Sequence, residues 1–277
     1  MKLIADSGST KTSWAVVDDK ETRMIGTAGI NPAVQSEDTI MCTLHEMVSI
    51  LTEGPCEIYF YGAGCRGKAS LLMEQCLRQA FPDADTVCVE SDLLGAARAL
   101  FGGEEGIACI LGTGSNSCLY DGKVITANVP PLGYILGDEG SGAALGKMFF
   151  NALFKGDLPE ELKNMYLEET RQTYDDVIRH VYREQNANRY LASTSLFIAN
   201  HLDVKQLVDI VDQNFEQFFV KNVRKYGRPD LPVAAVGSIA FAYSDIFNKV
   251  ASRHGYQVTR VIKEPIDALV GYHSFLC

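Results

Sequence analysis

Residues 6–12 read Asp-Ser-Gly-Ser-Thr-Lys-Thr, between two short runs with the composition of strands, Lys2–Ala5 and Ser13–Asp18. An acidic residue closes the first strand, a turn of small residues follows, and a second strand returns. The tip of such a hairpin is rich in hydroxyls and unpaired N–H groups. Successive backbone N–H groups in a turn form a concavity that binds anions, phosphate oxygens among them. Asp6, at the foot of the turn, is placed to hold a cation that bridges the same phosphates. The stretch predicts a hairpin that grips a nucleoside triphosphate.

Outward from this stretch the arrangement recurs. Gly106–Leu111 reads as a buried strand, followed by Gly112-Thr113-Gly114-Ser115, a strand Ser117–Tyr120, an Asp121-Gly122 turn and a strand Val124–Ala127. Strand, small-residue turn, strand thus occurs once near the start of each of two lobes. A third turn, Gly237-Ser238, follows the strand Pro232–Val236 and is placed to pack an adenosine. Singly, each of the three reads best as a turn and nothing more. Together they offer two phosphate hairpins and a nucleoside turn.

The remaining first half is strand-rich, with further runs at Met24–Gly26, Glu57–Tyr61 and Thr86–Val89. Helical spacing is plain in Thr39–Leu51, and helices are also expected at Ala69–Ala80, stopped before Pro82, and at Leu93–Phe101. Ser91-Asp92 opens the last of these and Gly102-Gly103 ends it. The second half is mostly helical: Ser141–Phe154, Pro159–Glu168, Tyr174–Arg183 and a long segment Val204–Tyr226 with one apolar stripe. Strands Pro232–Val236 and Val258–Ile262 flank a helix Phe241–Arg253, and Pro265 begins a final helix running towards Phe275.

The 277 residues suggest two lobes at the usual ~100–200 residues per domain. A net charge of −10 argues against a nucleic-acid binder, which needs a basic stripe to displace counterions. No apolar run reaches the ~18 residues of a membrane span, and Leu3–Ala5 is too short for a signal core. A soluble, cytoplasmic protein is expected. The eight cysteines form no Cys-x-x-Cys pair and are expected to be reduced, buried and structural. The histidines show no metal-ligand spacing.

One motif points elsewhere. Gly62-Ala63-Gly64-Cys65-Arg66-Gly67 is a literal G-x-G-x-x-G between a strand and a helix, and Glu90 ends the next strand where a dinucleotide fold places its ribose carboxylate. With Lys68 the stretch nearly spells a P-loop, but Ala69 stands where a hydroxyl should reach Mg²⁺. A dinucleotide-dependent oxidoreductase is therefore an alternative, although any tight strand-to-helix turn wants glycines.

Two phosphate hairpins and a late Gly-Ser turn resemble the sugar kinase, Hsp70 and actin superfamily. Within it, Asp-Ser-Gly-Ser-Thr-Lys (6–11), Ser-Asp (91–92) before a Gly-Ala-rich helix, Gly-Thr-Gly-Ser-Asn (112–116) and Gly-Asp-Glu-Gly-Ser (137–141) are similar to N-acetylglucosamine kinases. These are related to the ATPase components of benzoyl-CoA reductase. The resemblance spans the chain in the right order. It implies an α/β protein of the actin-like (ribonuclease H-like) ATPase fold, with a mixed sheet and flanking helices in each lobe. The lobes are expected at 1–106 and 107–277, the last helix, 265–277, being a candidate to pack back on the first lobe. MgATP and an amino sugar would sit in the cleft between them, and a homodimer is left open.

The resemblance also implies roles. Asp6 would orient Mg²⁺, Thr10 and Lys11 would contact phosphate, and Gly112, Thr113 and Gly114 would form the second phosphate loop. Gly237 and Ser238 would line the adenosine, and Asp92 would be the catalytic carboxylate. Asn31, Ser115, Asn116, Gly133 and Asp138 would hold sugar hydroxyls. The implied reaction transfers the γ-phosphate to the 6-hydroxyl of N-acetylglucosamine. Pro32-Ala33 replaces a bulkier aromatic contact, leaving glucosamine, glucose and N-acetylmuramate open as substrates. An ATPase that activates an electron-transfer enzyme lacks a close cysteine pair after the second loop, where Cys118 stands alone.

Each residue also has a plainer reading. Asp92 could be a helix cap, and a carboxylate at a helix N-terminus is expected to titrate low. Asp138 and Glu139 could cap the helix that begins at Ser141, and Asn31 could be a turn residue.

Overall fold

The computed structural model describes residues 1–8, 10–18, 21–51 and 53–274. The chain divides into two compact units: Met1–Glu104 with Gly122–Val124 and Glu264–Cys277, and Glu105–Asp121 with Ile125–Lys263. Unit 1 runs β1 (Lys2–Ser7), β2 (Lys11–Val17), β3 (Thr22–Ala28), α1 (Glu37–Ile50), β4 (Glu57–Gly62), α2 (Lys68–Ala80), β5 (Thr86–Ser91) and α3 (Asp92–Phe101). Unit 2 continues with β6 (Glu105–Leu111), β7 (Ser115–Asp121), β8 (Ile125–Ala127), α4 (Gly133–Leu136), α5 (Gly142–Lys155), α6 (Glu160–Thr170), α7 (Tyr174–Tyr182), α8 (Ala187–Asn200) and α9 (Lys205–Lys221). It ends with β9 (Val233–Val236), α10 (Ser238–Ala242), α11 (Ser244–Arg253) and β10 (Val258–Ile262), after which α12 (Ile266–Ser274) belongs to unit 1.

The two sheets are wired alike. In unit 1 the order is β3-β2-β1-β4-β5, with β1, β2 and β3 antiparallel and β1, β4 and β5 parallel. In unit 2 the order is β8-β7-β6-β9-β10, again a meander joined to a parallel half. Parallel strands require crossover connections, and helices supply them. β1 is apolar at Leu3, Ile4 and Ala5 because layers cover both of its faces. Trp14, Ile58 and Phe60 pack with Ile40, Leu44 and Met73 of α1 and α2 in one core. On the other face of β4, Tyr59 stacks on His273 of α12 at 3.8 Å between ring centroids. Unit 2 has a second core, in which Phe149, Phe215, Phe218 and Phe247 join Ile107 and Val233.

Several helix starts are fixed by hydroxyl caps: Ser36 accepts from Thr39 N–H, Ser91 from Leu94 N–H and Ser141 from Ala144 N–H. Two expected helices and one unassigned segment differ from the sequence reading. The segment 187–200, with no assignment from sequence, is α8. The long helix expected over 204–226 stops at Lys221 and continues as a 3-10 turn, Val223–Tyr226. The helix expected at 241–253 is two, α10 and α11, broken at Tyr243. The cysteines are unpaired among the described residues, but Cys42 and Cys56 are exposed rather than buried. Cys277, like the Phe275 end of the final helix, lies outside the described residues. Among the described residues no helix is long and apolar enough to cross a membrane.

Candidate active site

In unit 1 the predicted residues gather at the carboxyl ends of β1, β4 and β5, where open α/β sheets place their ligands. Register makes this so: Asp6 lies opposite Tyr61, Tyr61 opposite Glu90, and Gly62 opposite Ser91. The hairpin tip is tied by Gly8 N–H to Lys11 O at 3.0 Å, and Thr10 O accepts from Gly29 N–H at 3.2 Å. Beneath it, buried Ser7 and Thr12 share a hydrogen bond of 2.6 Å. Ser7 Oγ also donates to Ile30 O and accepts from Ile30 N–H, each at 3.0 Å. This small polar core pins the chain entering Asn31 against the β1–β2 hairpin. Ser9, within that hairpin, lies outside the described residues.

Asn31 opens a tight turn: its Oδ1 accepts from Ala33 N–H at 3.1 Å and its own N–H donates to Gln35 Oε1 at 2.7 Å. Gly64 packs directly on it, and a Cβ there would lie 2.1 Å from Asn31 Oδ1. The G-x-G-x-x-G turn is thus accounted for by packing at Gly62 and Gly64 and by a left-handed backbone, φ +53°, at Gly67. Gly64, at φ +79°, makes room for Asn31, and a Cβ on Gly62 would meet Phe60 at 2.5 Å.

Asp92 is the first residue of α3, and its Oδ1 accepts from Leu93 N–H at 2.9 Å. The cap itself is Ser91, so capping does not occupy Asp92. The expectation that Asp92 titrates low is wrong. Burial raises its carboxyl and outweighs the Leu93 hydrogen bond and the nearby Arg66 charge that lower it. Asp6 is pushed up to about 7, chiefly by burial, then by the charges of Asp92 and Glu264, with Lys11 opposing. Lys11 Nζ pairs with Glu264 Oε1 at 2.7 Å on the surface. Glu264 and Arg66 were not anticipated as neighbours of these acids. Glu264 returns from far along the chain, and Arg66 is placed by strand register.

In unit 2 the β6–β7 hairpin carries the second loop, closed by Gly112 N–H to Gly114 O at 2.9 Å. Gly112 O and Thr113 O accept from Gly142 N–H and Ala143 N–H at 2.8 and 3.1 Å, so the loop is seated on the start of α5. Gly237, at φ +126°, approaches so closely that a Cβ would lie 2.3 Å from Leu111 O. Ser238 is exposed beside it at the start of α10. The Gly112–Gly114 loop and the Gly237-Ser238 turn are therefore neighbours in one unit.

Asp138 is 8% exposed and held in the left-handed region at φ 55°. Its N–H donates to Pro131 O at 2.9 Å, and its O accepts from Ser141 N–H at 3.1 Å. Asn214 of α9 braces the same turn, accepting from Gly140 N–H at 3.1 Å. Ser141 caps α5, so Asp138 is not spent on capping. Burial pushes its carboxyl up to about 6, against the Ser115 N–H and Lys147, which lower it. Gly114 lies against it, a Cβ there falling 3.1 Å from Asp138 Oδ2. Gly133 is exposed at the start of α4, and its O accepts from Gly137 N–H at 2.8 Å. The Asn116 Oδ1 is engaged by Ser117 N–H and Asn128 Nδ2, each at 2.9 Å, so what it can offer a ligand is its amide N–H.

Among the described residues no group of three or more His, Cys, Asp or Glu side chains is arranged to ligate a metal directly. Mg²⁺ does not need one, since it is held by one or two carboxylates, waters and substrate phosphates. Asp6 fits that use: an acid raised first by desolvation and then by neighbouring carboxylates is relieved by a cation.

A solved structure of a provisionally assigned N-acetylglucosamine kinase from Porphyromonas gingivalis matches 99% of this chain and 98% of its own, at 44% identity and a TM-score of 0.92. The chain belongs to the N-acetylglucosamine kinase family. A second family member in name, provisionally assigned from Chromobacterium violaceum, matches over 98% of each chain at 19% identity and a TM-score of 0.75. A ROK family glucokinase from Streptomyces griseus, solved with glucose and AMPPNP, covers 99% and 98% at 16% identity and a TM-score of 0.59. The last two show the fold alone, the actin-like two-unit α/β fold of sugar kinases. No protein-family model and no curated protein matches the chain. For this N-acetylglucosamine kinase family member, the predicted site residues form one set in each unit.

Proposed function

We propose that the protein is an ATP-dependent kinase of an amino sugar, with N-acetylglucosamine phosphorylated at the 6-hydroxyl as the leading reaction. The observation that carries this is the 44% identity over 99% of the chain to a protein bearing that provisional assignment. The placement of Asp6, Asp92 and Asn31 at one strand-end edge, and of Asp138 against the second phosphate loop, supports it.

In this reading Gly112, Thr113 and Gly114 hold phosphate oxygens of ATP by backbone N–H groups, and Gly237 and Ser238 hold the adenosine. Thr10 and Lys11 add donors from the first hairpin, Lys11 exchanging Glu264 for phosphate. Asp6 holds Mg²⁺ through water, and the cation supplies neutralisation of phosphate charge. Asn31, Ser115, Asn116, Gly133 and Asp138 hold the sugar hydroxyls, an ionised carboxylate being the strongest acceptor available. Asp92 accepts the proton of the attacking hydroxyl. Its raised carboxyl suits it to that role better than a freely solvated aspartate.

The reading is tested by a coupled assay of ADP release across N-acetylglucosamine, glucosamine, glucose and N-acetylmuramate, with the product located by phosphorus NMR. Turnover is expected on N-acetylglucosamine, with the phosphate on O6. A protein that binds these sugars but forms no sugar phosphate overturns it.

A further inference from the structure

The kinase reading, on which this inference rests, leaves one feature without work: Arg66 in the Gly62–Gly67 turn. The glycines of that turn answer to packing and to backbone conformation, but the arginine answers to neither. The turn leaves β4 at Gly62, which lies opposite Ser91 in the neighbouring parallel strand. Adjacent strands lie ~4.8 Å apart, so the turn emerges beside the start of α3, where Asp92 sits. The Arg66 backbone is fixed on both sides, its N–H donating to Gly64 O at 2.8 Å and its O accepting from Ala69 N–H at 3.2 Å. Gly64 in turn abuts Asn31, so the turn also borders the residue read as holding a sugar hydroxyl.

The Arg66 side chain is exposed, and among the described residues it makes no hydrogen bond or ion pair. Its charge is nevertheless felt at Asp92. A guanidinium left unpaired in a chain of net charge −10, at the end of a rigid turn beside an acid, is available for an anion. Its planar fork matches phosphate oxygens two at a time.

We propose that Arg66 is a catalytic residue whose guanidinium contacts the phosphoryl group as it passes to the sugar oxygen beside Asp92. In that step the bond from the γ-phosphorus to the bridging oxygen breaks, and ADP leaves with its electron pair. The bond from the sugar oxygen to phosphorus forms, and the hydroxyl proton goes to the Asp92 carboxylate. Arg66 neutralises charge on the transferring oxygens, which is where an arginine is worth most in phosphoryl transfer.

Arg66→Gln and Arg66→Lys test this on the intact protein with N-acetylglucosamine and MgATP. Arg66→Gln is expected to lower kcat by about 100-fold or more, the scale for losing a donor to developing charge. KM values for sugar and ATP should stay within about threefold, because the contact belongs to the transition state. Arg66→Lys should recover part of the loss, as should free guanidinium ion added to Arg66→Gln. A readout apart from turnover is the complex of ADP, aluminium fluoride and sugar, a mimic of the transferring group. Wild type should retain ADP far more tightly in it than in the ADP–sugar complex, and Arg66→Gln should lose that gain while binding ADP alone as before. The inference is overturned if kcat stays within threefold of wild type, if the loss is confined to sugar KM, or if the fluoride complex is equally tight. Wild type that phosphorylates no sugar overturns the kinase reading and this inference together. An active wild type with an equally active Arg66→Gln overturns this inference alone.

Discussion

At the scale of single residues, the site is shaped by a contest between burial and hydrogen bonding. The helix terminus and Leu93 N–H favour an ionised Asp92, yet burial wins, and the acid is held above the ordinary carboxylate range. Because Ser91 carries the cap, Asp92→Asn should leave α3 intact. It is expected to lower kcat by roughly 10²–10⁴-fold, the usual worth of a general base. Sugar affinity by calorimetry should be unchanged, and robust turnover in this variant would remove the role given to the acid. Asp138 gives a pH prediction of definite sign. Its carboxyl is at about 6 in the fold against 3.8 as a free group, so the unfolded chain loses its proton first. Over that interval the folded state binds more protons, and stability falls as pH rises. Asp138→Asn should therefore raise the melting temperature at neutral pH while weakening sugar binding, as expected where a site is held at the expense of stability. The same shift means that the ionised acceptor is lost as pH falls through about 6, so wild-type sugar KM should climb there while that of Asp138→Asn stays flat. Scanning fluorimetry and KM measured from neutral to mildly acidic pH check both statements.

Elements come next, and α8 decides the packing of unit 2. It lies so close to α5 that a Cβ on Gly146 would fall 2.1 Å from Leu191 O. Backbone cannot retreat as a flexible side chain can, so Gly146→Ala should cost about 1–3 kcal/mol, read from urea unfolding, as overpacked cores do. A variant as stable as wild type would mean that the two helices have room to part. That α8 escaped the sequence reading has a physical cause. Its buried positions Ala187, Leu191, Thr194, Phe197 and Ile198 do have helical spacing, but Asn188, Ser193, Ser195 and Asn200 stand among the rest. Those side chains compete with the helix for backbone hydrogen bonds, so the tertiary contact with α5 supplies what propensity does not. The strands were legible because each alternates or runs apolar between turn residues. The hairpin tips were legible because tight turns between strands favour small residues. Arg66 and Glu264 were not, because parallel register and a chain return of more than 200 residues bring them to the acids, and no local pattern announces either. The seat of α12 carries its own pH signature. His273 accepts or donates one hydrogen bond of 2.8 Å with Tyr61, itself bonded by Arg98 at 2.9 Å. Burial holds the imidazole down at about 4, against 6.5 as a free group, so here the unfolded chain takes the proton first. Stability should be whole above that interval and decline as pH falls through it. In His273→Gln the decline should be shallower, as followed by circular dichroism.

For the molecule as a whole, the two units repeat one wiring, and that repetition shows which positions are specialised. β6, β7 and β8 answer to β1, β2 and β3, and the parallel pair β9 and β10 answers to β4 and β5. The Gly112 loop thus stands where the Asp6 hairpin stands, and the Gly237 turn stands where the Gly62 turn stands. Following β5 and β10 to their ends sets Asp92, the first residue of α3, against Glu264, two residues ahead of α12. Chemistry then separates what topology equates. Asp92 is raised by burial and makes no ion pair among the described residues, whereas Glu264 is exposed and bonded to Lys11 at 2.7 Å. Exposed pairs are worth about 0–1 kcal/mol, so Glu264 is a weak holder of Lys11, and under the proposed function a triphosphate would displace it at little cost. Glu264→Gln should accordingly leave kcat within about threefold and stability within about 1 kcal/mol. The ATP KM should fall, because Lys11 no longer has to leave a carboxylate to meet phosphate. Steady-state kinetics with ATP varied at saturating sugar decide the matter. A collapse of turnover like that of Asp92→Asn would mean that both acids, and not only the one in the first half of the repeat, take part in the chemistry.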